Sequence, residues 1–166
     1  SYGLLSVAVK NLNRTSQQEA YEVFSETLKL ISTAKLNGYI PNGGFPTAKR
    51  IIKAEDFWES LEEEATDLQI SLVDEVITES IKLGYSGTID FDDQIYLPCL
   101  FGGTFPLFPL VMVDEVQDLS PLNHKFLEKL VNERLIAVGD PWQSIYAFRG
   151  AMQNGMNSLQ KQYNMR

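Results

Sequence analysis

Apolar residues recur every three or four positions in the first half of the chain, which is the spacing of one helix face. Ser16-Gln17-Gln18-Glu19 has the form of a capping box and predicts the start of a helix, and Gly38 predicts its end. The apolar face of this helix comprises Tyr21, Phe24, Leu28, Ile31 and Ala34. Two prolines and two glycines predict a loop over 41–46. Two acidic amphipathic helices are predicted beyond it, over 55–68 and 71–83.

The pattern changes after Gly102-Gly103. An apolar run over 107–113, broken only by Pro109, predicts a strand covered on both faces, as in a parallel sheet. Ser120-Pro121 predicts the start of a helix, and a second short apolar strand is predicted over 135–138. A strand, a helix and a strand over roughly thirty residues indicate a right-handed crossover unit with parallel strands.

Three carboxylates precede this region, at Asp90, Asp92 and Asp93. They are predicted to lie at the start of a short helix, where the helix dipole favours negative charge. A cation site is a weaker interpretation, because the glycine and the spaced oxygen ligands of a calcium loop are missing.

Composition narrows the classes of protein that are possible. The chain has 166 residues, of which 44% are hydrophobic and 22% are charged, and no apolar run is long enough to span a membrane. A single cysteine, Cys99, excludes an internal disulfide or a cysteine zinc site, and a single histidine, His124, makes another histidine-based metal site improbable. Core or surface roles suffice for both residues.

The net charge of -8 argues against a nucleic-acid-binding protein, but the charge is unevenly distributed. Residues 1–54 hold seven Lys or Arg and three acids, residues 55–96 hold one Lys and thirteen acids, and residues 97–166 hold six of each. The excess acid therefore belongs to the middle block, where a solvated helix face is the simplest explanation.

Both predicted strands end in carboxylates, Asp114-Glu115 after the first and Asp140 after the second. In open α/β sheets, ligands bind at the carboxyl ends of the strands. An aspartate there can hold Mg²⁺ against nucleotide phosphates, and an adjacent glutamate can act on the attacking water. Taken alone, Asp114-Glu115 is more simply interpreted as two solvated acids at the end of a buried strand.

Two longer segments decide between these interpretations. The sequences DEVQDLSP at 114–121 and AVGDPWQSIYAFRGA at 137–151 resemble motifs II and III of superfamily 1 DNA helicases of the UvrD/Rep/PcrA type. The segment IDFDD at 89–93 also resembles a landmark that precedes motif II in that family. The resemblance covers about residues 89–151 well and the first 88 residues only loosely.

The resemblance implies a nucleotide site. Asp114 is expected to ligate Mg²⁺, and Glu115 to be the catalytic base for ATP hydrolysis. Gln117 and Asp118 are expected to complete the motif II network at the bound nucleotide, and Gln143 to sense the γ-phosphate.

The resemblance also implies a DNA site. Tyr146 and Phe148 are expected to stack on single-stranded DNA bases, with Arg149 as the basic residue beside them. Gln143 and Phe148 are close in the sequence, so a shift on loss of the γ-phosphate could reach the stacking residues.

The implied fold is α/β, a partial P-loop NTPase (RecA-like) parallel sheet with a mostly helical inserted subdomain. Residues 1–88 are expected to be mostly helical and to include part of that subdomain, and residues 89–166 to form part of the first RecA-like motor domain. None of the 11 glycines is followed by lysine, so no phosphate loop is present. We therefore expect an internal fragment that does not hydrolyse ATP by itself.

The implied function is an ATP-dependent DNA helicase or translocase with 3′ to 5′ polarity, which uses ATP and Mg²⁺. Its expected partners are single-stranded and duplex DNA and the remainder of the helicase polypeptide, with no membrane. The expected location is the cytoplasm, at the nucleoid in a bacterium or phage-infected cell, without secretion. Two alternatives stay open: a helicase-like DNA-binding or scaffold module that has lost catalysis, and the helicase arm of a helicase–nuclease.

Overall fold

A computed structural model describes residues 1–140, 159–161 and 163. Helices dominate the first two thirds of the chain, and a small parallel sheet follows. The helices are α1 (Tyr2–Lys10), α2 (Arg14–Glu22), α3 (Phe24–Leu36), α4 (Ala54–Glu59), α5 (Asp67–Tyr85), α6 (Asp93–Phe101) and α7 (Pro121–Leu130). The strands are β1 (Phe108–Val113) and β2 (Val131–Ala137).

The helix predicted from Ser16 is two helices, and its first cap is a different residue. The side chain of Asn13 accepts a hydrogen bond from the Ser16 N–H at 3.0 Å, so α2 begins two residues earlier than the predicted capping box. The backbone leaves helical geometry at Val23, which separates α2 from α3. The predicted end is confirmed, since Gly38 follows α3 with a φ of 68° that glycine adopts at little cost.

The two acidic helices have different bounds from those predicted. Helix α4 ends at Glu59, and α5 begins at Asp67 because Thr66 and Gln69 form a capping box. The Gln69 N–H donates to Thr66 Oγ1 at 3.2 Å, and the Thr66 N–H donates to Gln69 Oε1 at 3.0 Å. The prediction of one helix over 55–68 was therefore wrong, because this cap prevents α4 from continuing into α5.

The acids of this block lie mainly on a solvated surface, as predicted. The exposed ones are Glu55, Asp56, Glu59, Glu62, Glu63, Glu64, Asp67 and Glu75. Asp74 is an exception, because it is half-buried and accepts a hydrogen bond from the Tyr39 hydroxyl.

A hydrophobic core joins α1, α3, α5 and α6 and reaches α7 through Leu122. Its fully buried members include Leu5, Val9, Ile31, Ile40, Phe57, Val73, Ile77, Ile81, Tyr96 and Leu100. Cys99 belongs to this core, and burial raises the pKa of its thiol to about 11. Among the described helices, none is both long and apolar enough to cross a bilayer.

A buried lysine lies at the centre of these helices. Lys35 of α3 is 0% exposed, and its Nζ lies 2.7 Å from Asp93 Oδ1, 3.0 Å from Asp90 Oδ2 and 2.9 Å from Ser80 Oγ. Asp93 is only 2% exposed and is the first residue of α6, so the predicted helix start at these carboxylates is confirmed. The ion pair between Lys35 and Asp93 therefore connects residues 1–88 with residues 89–166, the two parts into which the sequence was divided. In the described ranges, no three or more His, Cys, Asp or Glu side chains are grouped so that they could hold a metal ion together.

The two other carboxylates respond to this cluster in opposite directions. Burial acts to raise the pKa of Asp90, but the hydrogen bond from Ser1 and the charge of Lys35 outweigh it and hold that pKa well below its usual range. Burial raises the pKa of Asp92, although Ser32 donates a hydrogen bond to it at 3.1 Å. Asp90 is therefore held charged by its partners.

The parallel pairing predicted for the two strands is confirmed. Strand β1 pairs with β2 in parallel, and α7 lies between them in the sequence. Strand β2 begins at Val131, four residues before the predicted start. The register is irregular between Phe108 and Leu110, where Pro109 has no N–H to donate.

The prediction that β1 is covered on both faces was wrong for the described structure. Phe108, Leu110 and Met112 are exposed, whereas Val111 and Val113 pack on a small second core. That core is built from Val116, Leu127 and Leu159, with Leu119, Leu135, Ala137 and Tyr163 beside it. Alternate residues of a strand face opposite sides, so α7 and its neighbours cover one face only.

Candidate nucleotide site at the strand ends

The carboxyl ends of the two strands meet at one edge of the sheet. Asp114 and Glu115 follow β1 directly and are exposed, and Gly139 and Asp140 follow β2. Backbone hydrogen bonds continue past both strands, from the Val138 N–H to the Val113 oxygen at 2.8 Å and from the Val116 N–H to the Val138 oxygen at 3.1 Å. The turn after β1 is therefore attached to the end of β2.

Asp114 has the chemistry of a magnesium ligand. It is exposed at the strand end, and its Oδ1 accepts a hydrogen bond from the Glu115 N–H at 2.9 Å. Mg²⁺ prefers hard oxygen ligands and is usually held by one or two carboxylates together with waters and substrate phosphates. Asp114 fits this requirement, because it is exposed and its carboxylate is oriented by the hydrogen bond from the Glu115 N–H.

Glu115 has an unusual backbone conformation. Its φ of 54° lies in the left-handed region, which glutamate seldom adopts. Its side chain accepts a hydrogen bond from Gln117 Nε2, with 2.6 Å between Nε2 and Oε2. Strained backbone of this kind concentrates at functional sites, where the surrounding structure holds it.

Gln117 lies under the turn and connects the two strand ends. It is 4% exposed, and its Oε1 accepts a hydrogen bond from the Asp140 N–H at 3.0 Å. A Cβ atom at Gly139 would lie 2.3 Å from the same Oε1, so only glycine allows this approach. The contact of the Gly139–Asp140 backbone with Gln117 was not predicted from the sequence. The available signal was a glycine directly after an apolar strand.

Three buried polar atoms near α7 have no hydrogen-bond partner within the described residues: Asp118 Oδ1, His124 Nε2 and Tyr163 Oη. Burial lowers the pKa of His124, although the charge of Glu128 opposes the shift, so the imidazole is held neutral near pH 7. Asp118 comes one residue after Gln117, and its buried Oδ1 is able to accept a hydrogen bond.

The other residues predicted from the resemblance lie outside the described residues. These are Gln143, Tyr146, Phe148 and Arg149. The structure therefore brings together Asp114, Glu115 and Gln117, with Asp118 beside them. An exposed carboxylate pair at the end of a parallel strand, with one member oriented by a buried amide, can hold a cation and accept a proton from water.

The sequence of this chain was compared with models of protein families to find the family to which it belongs. The family model described as "UvrD/REP helicase N-terminal domain" matches residues 6–164. The chain belongs to the UvrD/Rep helicase family. The match includes both segments whose resemblance was noted from the sequence.

Three individual proteins show the similarity over parts of this chain. The ATP-dependent DNA helicase Rep of Buchnera aphidicola subsp. Baizongia pistaciae is 35% identical over 88 residues, which is 47% of this chain and 13% of that protein. The ATP-dependent DNA helicase PcrA of Leuconostoc citreum is 33% identical over 92 residues, 49% of this chain and 12% of that protein. The RecBCD enzyme subunit RecB of Mycolicibacterium smegmatis is 49% identical over 45 residues, 26% of this chain and 4% of that protein. Each match thus spans a small part of the relative's length.

Proposed function

We propose that this chain forms part of the motor of an ATP-dependent DNA helicase that moves 3′ to 5′ along single-stranded DNA and unwinds duplex DNA. The observation that carries the proposal is the arrangement of Asp114 and Glu115 at the end of β1, joined through Gln117 to the end of β2. Family membership supports the ATP-dependent DNA helicase class.

In this proposal, the strand-end residues act on ATP. Asp114 holds Mg²⁺, which when bound neutralises charge on the nucleotide phosphates. Glu115 accepts a proton from the attacking water, and its exposed position leaves it open to that water. The buried Oδ1 of Asp118 accepts a hydrogen bond from a donor near the nucleotide. Gln143 contacts the γ-phosphate and so reports whether it is present.

Residues that follow β2 in the sequence are proposed to contact DNA. Tyr146 and Phe148 supply aromatic faces for bases, and Arg149 supplies a positive charge near the backbone. Stacking of a base on an aromatic ring contributes about 1–3 kcal/mol whatever the base is, which suits movement over any sequence. Because this segment begins at Asp140, it starts at the nucleotide edge of the sheet.

The architecture is proposed to be a partial P-loop NTPase (RecA-like) domain. Residues 89–166 belong to its first motor domain, and residues 1–88 include part of an inserted helical subdomain. The parallel pairing of β1 and β2 supports the first assignment, and the helices α1 to α5 support the second.

A helicase arm of a larger helicase–nuclease is a second candidate. The similarity to the RecBCD enzyme subunit RecB favours it, at 49% identity over 45 residues. The similarity to Rep and to PcrA extends over 88 and 92 residues, so the helicase without a nuclease is the better-supported proposal. Co-purification of the intact protein with a nuclease subunit would favour the second candidate instead.

The test of the proposal is directional unwinding by the intact protein. With ATP and Mg²⁺, a duplex with a 3′ single-stranded tail is expected to be unwound, because a 3′ to 5′ motor loads on that tail and runs into the duplex. The control substrates are the same duplex with a 5′ tail and the blunt duplex, measured by strand separation in a gel. Preferential unwinding of the 5′-tailed substrate would contradict the proposed polarity.

The 166-residue chain by itself is expected not to hydrolyse ATP. None of its 11 glycines is followed by lysine, so it lacks the loop whose amides and lysine cradle the phosphates. Phosphate release is measured with and without single-stranded DNA, with the intact protein as the positive control. DNA-stimulated turnover by the chain that disappears in its Glu115→Gln variant would show that the chain is a complete ATPase.

A further inference from the structure

Gln117 is a buried amide beside an exposed carboxylate. Its side chain is 4% exposed, whereas Glu115, two residues earlier, is exposed. A buried carboxamide destabilises a protein unless hydrogen bonds satisfy it. Here Nε2 donates to Glu115 Oε2 at 2.6 Å, and Oε1 accepts from the Asp140 N–H at 3.0 Å. Both ends of the amide are therefore used by groups of the protein.

The two hydrogen bonds require the same orientation of the amide. A backbone N–H can only donate, so the Asp140 N–H must face the oxygen Oε1 of Gln117. The nitrogen Nε2 then faces the carboxylate of Glu115, whose Oε2 accepts the hydrogen bond. A glutamate at 117 would keep the first bond and lose the second, and a methionine would lose both.

The packing leaves Gln117 little freedom to move. A Cβ atom at Gly139 would lie 2.3 Å from Gln117 Oε1 and 2.9 Å from Val116 Cγ2. The Val116 N–H also donates to the Val138 oxygen at 3.1 Å. The amide is therefore held between the turn after β1 and the end of β2.

We propose that Gln117 is a positioning residue that holds the Glu115 carboxylate for ATP hydrolysis. The inference rests on the proposed function, because it assigns Glu115 as the base. The sequence led us to expect Gln117 at the bound nucleotide. The inference instead assigns to Gln117 a contact with the catalytic base Glu115.

The test is ATP hydrolysis by the intact protein that contains this chain, with the Gln117→Met variant. Methionine has a similar length and keeps the buried packing but makes neither hydrogen bond. We expect kcat for DNA-stimulated hydrolysis to fall on the order of 10–100-fold, because a misplaced catalytic group reacts slowly. The KM for ATP should stay within about twofold, because substrate binding is not the lost interaction. The Gln117→Glu variant should also lose kcat, since its carboxylate cannot donate to Glu115.

Matched variants separate positioning from packing. Gln69→Met removes another buried carboxamide, at the cap of α5, and should leave kcat unchanged. A kcat within about twofold of the parent in both Gln117 variants would overturn the inference, as would a rise in KM with kcat unchanged. If Glu115→Gln hydrolyses ATP like the parent, the assignment of Glu115 as the base fails as well, and if the parent itself does not hydrolyse ATP, the proposed function fails. If Glu115→Gln is inactive and Gln117→Met is not, only the inference fails.

Discussion

In the intact protein, Glu115→Gln is expected to lower kcat for DNA-stimulated ATP hydrolysis by about 10²–10⁴-fold, the usual contribution of a general base. The variant keeps the size of the side chain but removes the carboxylate that would accept the proton. Its oxygen can still accept the hydrogen bond from Gln117, so the geometry of the turn should persist. Unwinding of a 3′-tailed duplex should be lost together with ATP turnover.

Binding of single-stranded DNA should change little in this variant, because the residues proposed to stack on bases lie elsewhere in the sequence. Glu133→Gln is the matched control, since Glu133 is an exposed glutamate on β2 and lies in neither motif. Phosphate release and DNA affinity are measured for the parent and both variants. Equal, DNA-stimulated turnover in parent and Glu115→Gln would contradict the role of Glu115 as the base, whereas no turnover in the parent would favour the alternative of a DNA-binding or scaffold module without catalysis.

Lys35→Met is expected to destabilise the 166-residue chain by about 3–5 kcal/mol, because removal of one partner leaves the buried Asp93 carboxylate without a counter-charge. Lys35 is 0% exposed and Asp93 is 2% exposed, with 2.7 Å between Nζ and Oδ1. A loss of this size is a large part of the stability of an ordinary domain. The free energy of unfolding is measured by urea denaturation at pH 7.

Lys82→Met is the matched control, because it removes a lysine from an exposed ion pair. Lys82 Nζ lies 2.6 Å from Glu79 Oε1, and the two side chains are 60% and 47% exposed. The free energy of unfolding should change by about 1 kcal/mol or less, as is usual for surface pairs. Equal effects of the two substitutions would show that the Lys35 cluster is not a determinant of stability.

The effect of Lys35→Met should also depend on pH. The partners of Asp90 hold its pKa below the usual value of 3.8, so its interaction contributes stability fully above that pH. As the pH falls below 3.8, Asp90 becomes protonated in the unfolded chain first, and in the folded chain only near the lowered pKa. The stability that the interaction contributes is therefore lost progressively over this range. The difference in unfolding free energy between parent and Lys35→Met should therefore narrow in acid. A constant difference from pH 7 to pH 3 would contradict the assignment of the ion pair.

The uneven charge of the chain is compatible with a protein that acts on DNA. The excess acid lies on α4, α5 and the loop between them, where the side chains are largely exposed to solvent. Residues 97–166 hold equal numbers of acidic and basic residues, and they include the segment proposed to contact DNA. The total charge therefore says little about this segment, because exposed charges farther apart than a Debye length of about 8 Å are largely screened at physiological salt.

Features that depend on neighbours in the chain could be predicted from the sequence alone. Gly38 ends a helix because only a residue tolerant of positive φ suits that position, and Ser120-Pro121 begins α7 because both residues favour a helix start. The order of apolar strand, helix and apolar strand predicted parallel pairing of β1 and β2. The motif residues were recognisable because their types and order are specific.

Contacts between residues far apart in the chain could not be predicted from the sequence and depend on the folded structure. Lys35 and Asp93 are 58 positions apart, and nothing local in either segment predicts a buried ion pair between them. The hydrogen bond from the Asp140 N–H to Gln117 and the exposure of one face of β1 likewise depend on how the elements pack. The physical reason is that periodicity and capping report local geometry, whereas burial and long-range hydrogen bonds exist only after the chain has folded.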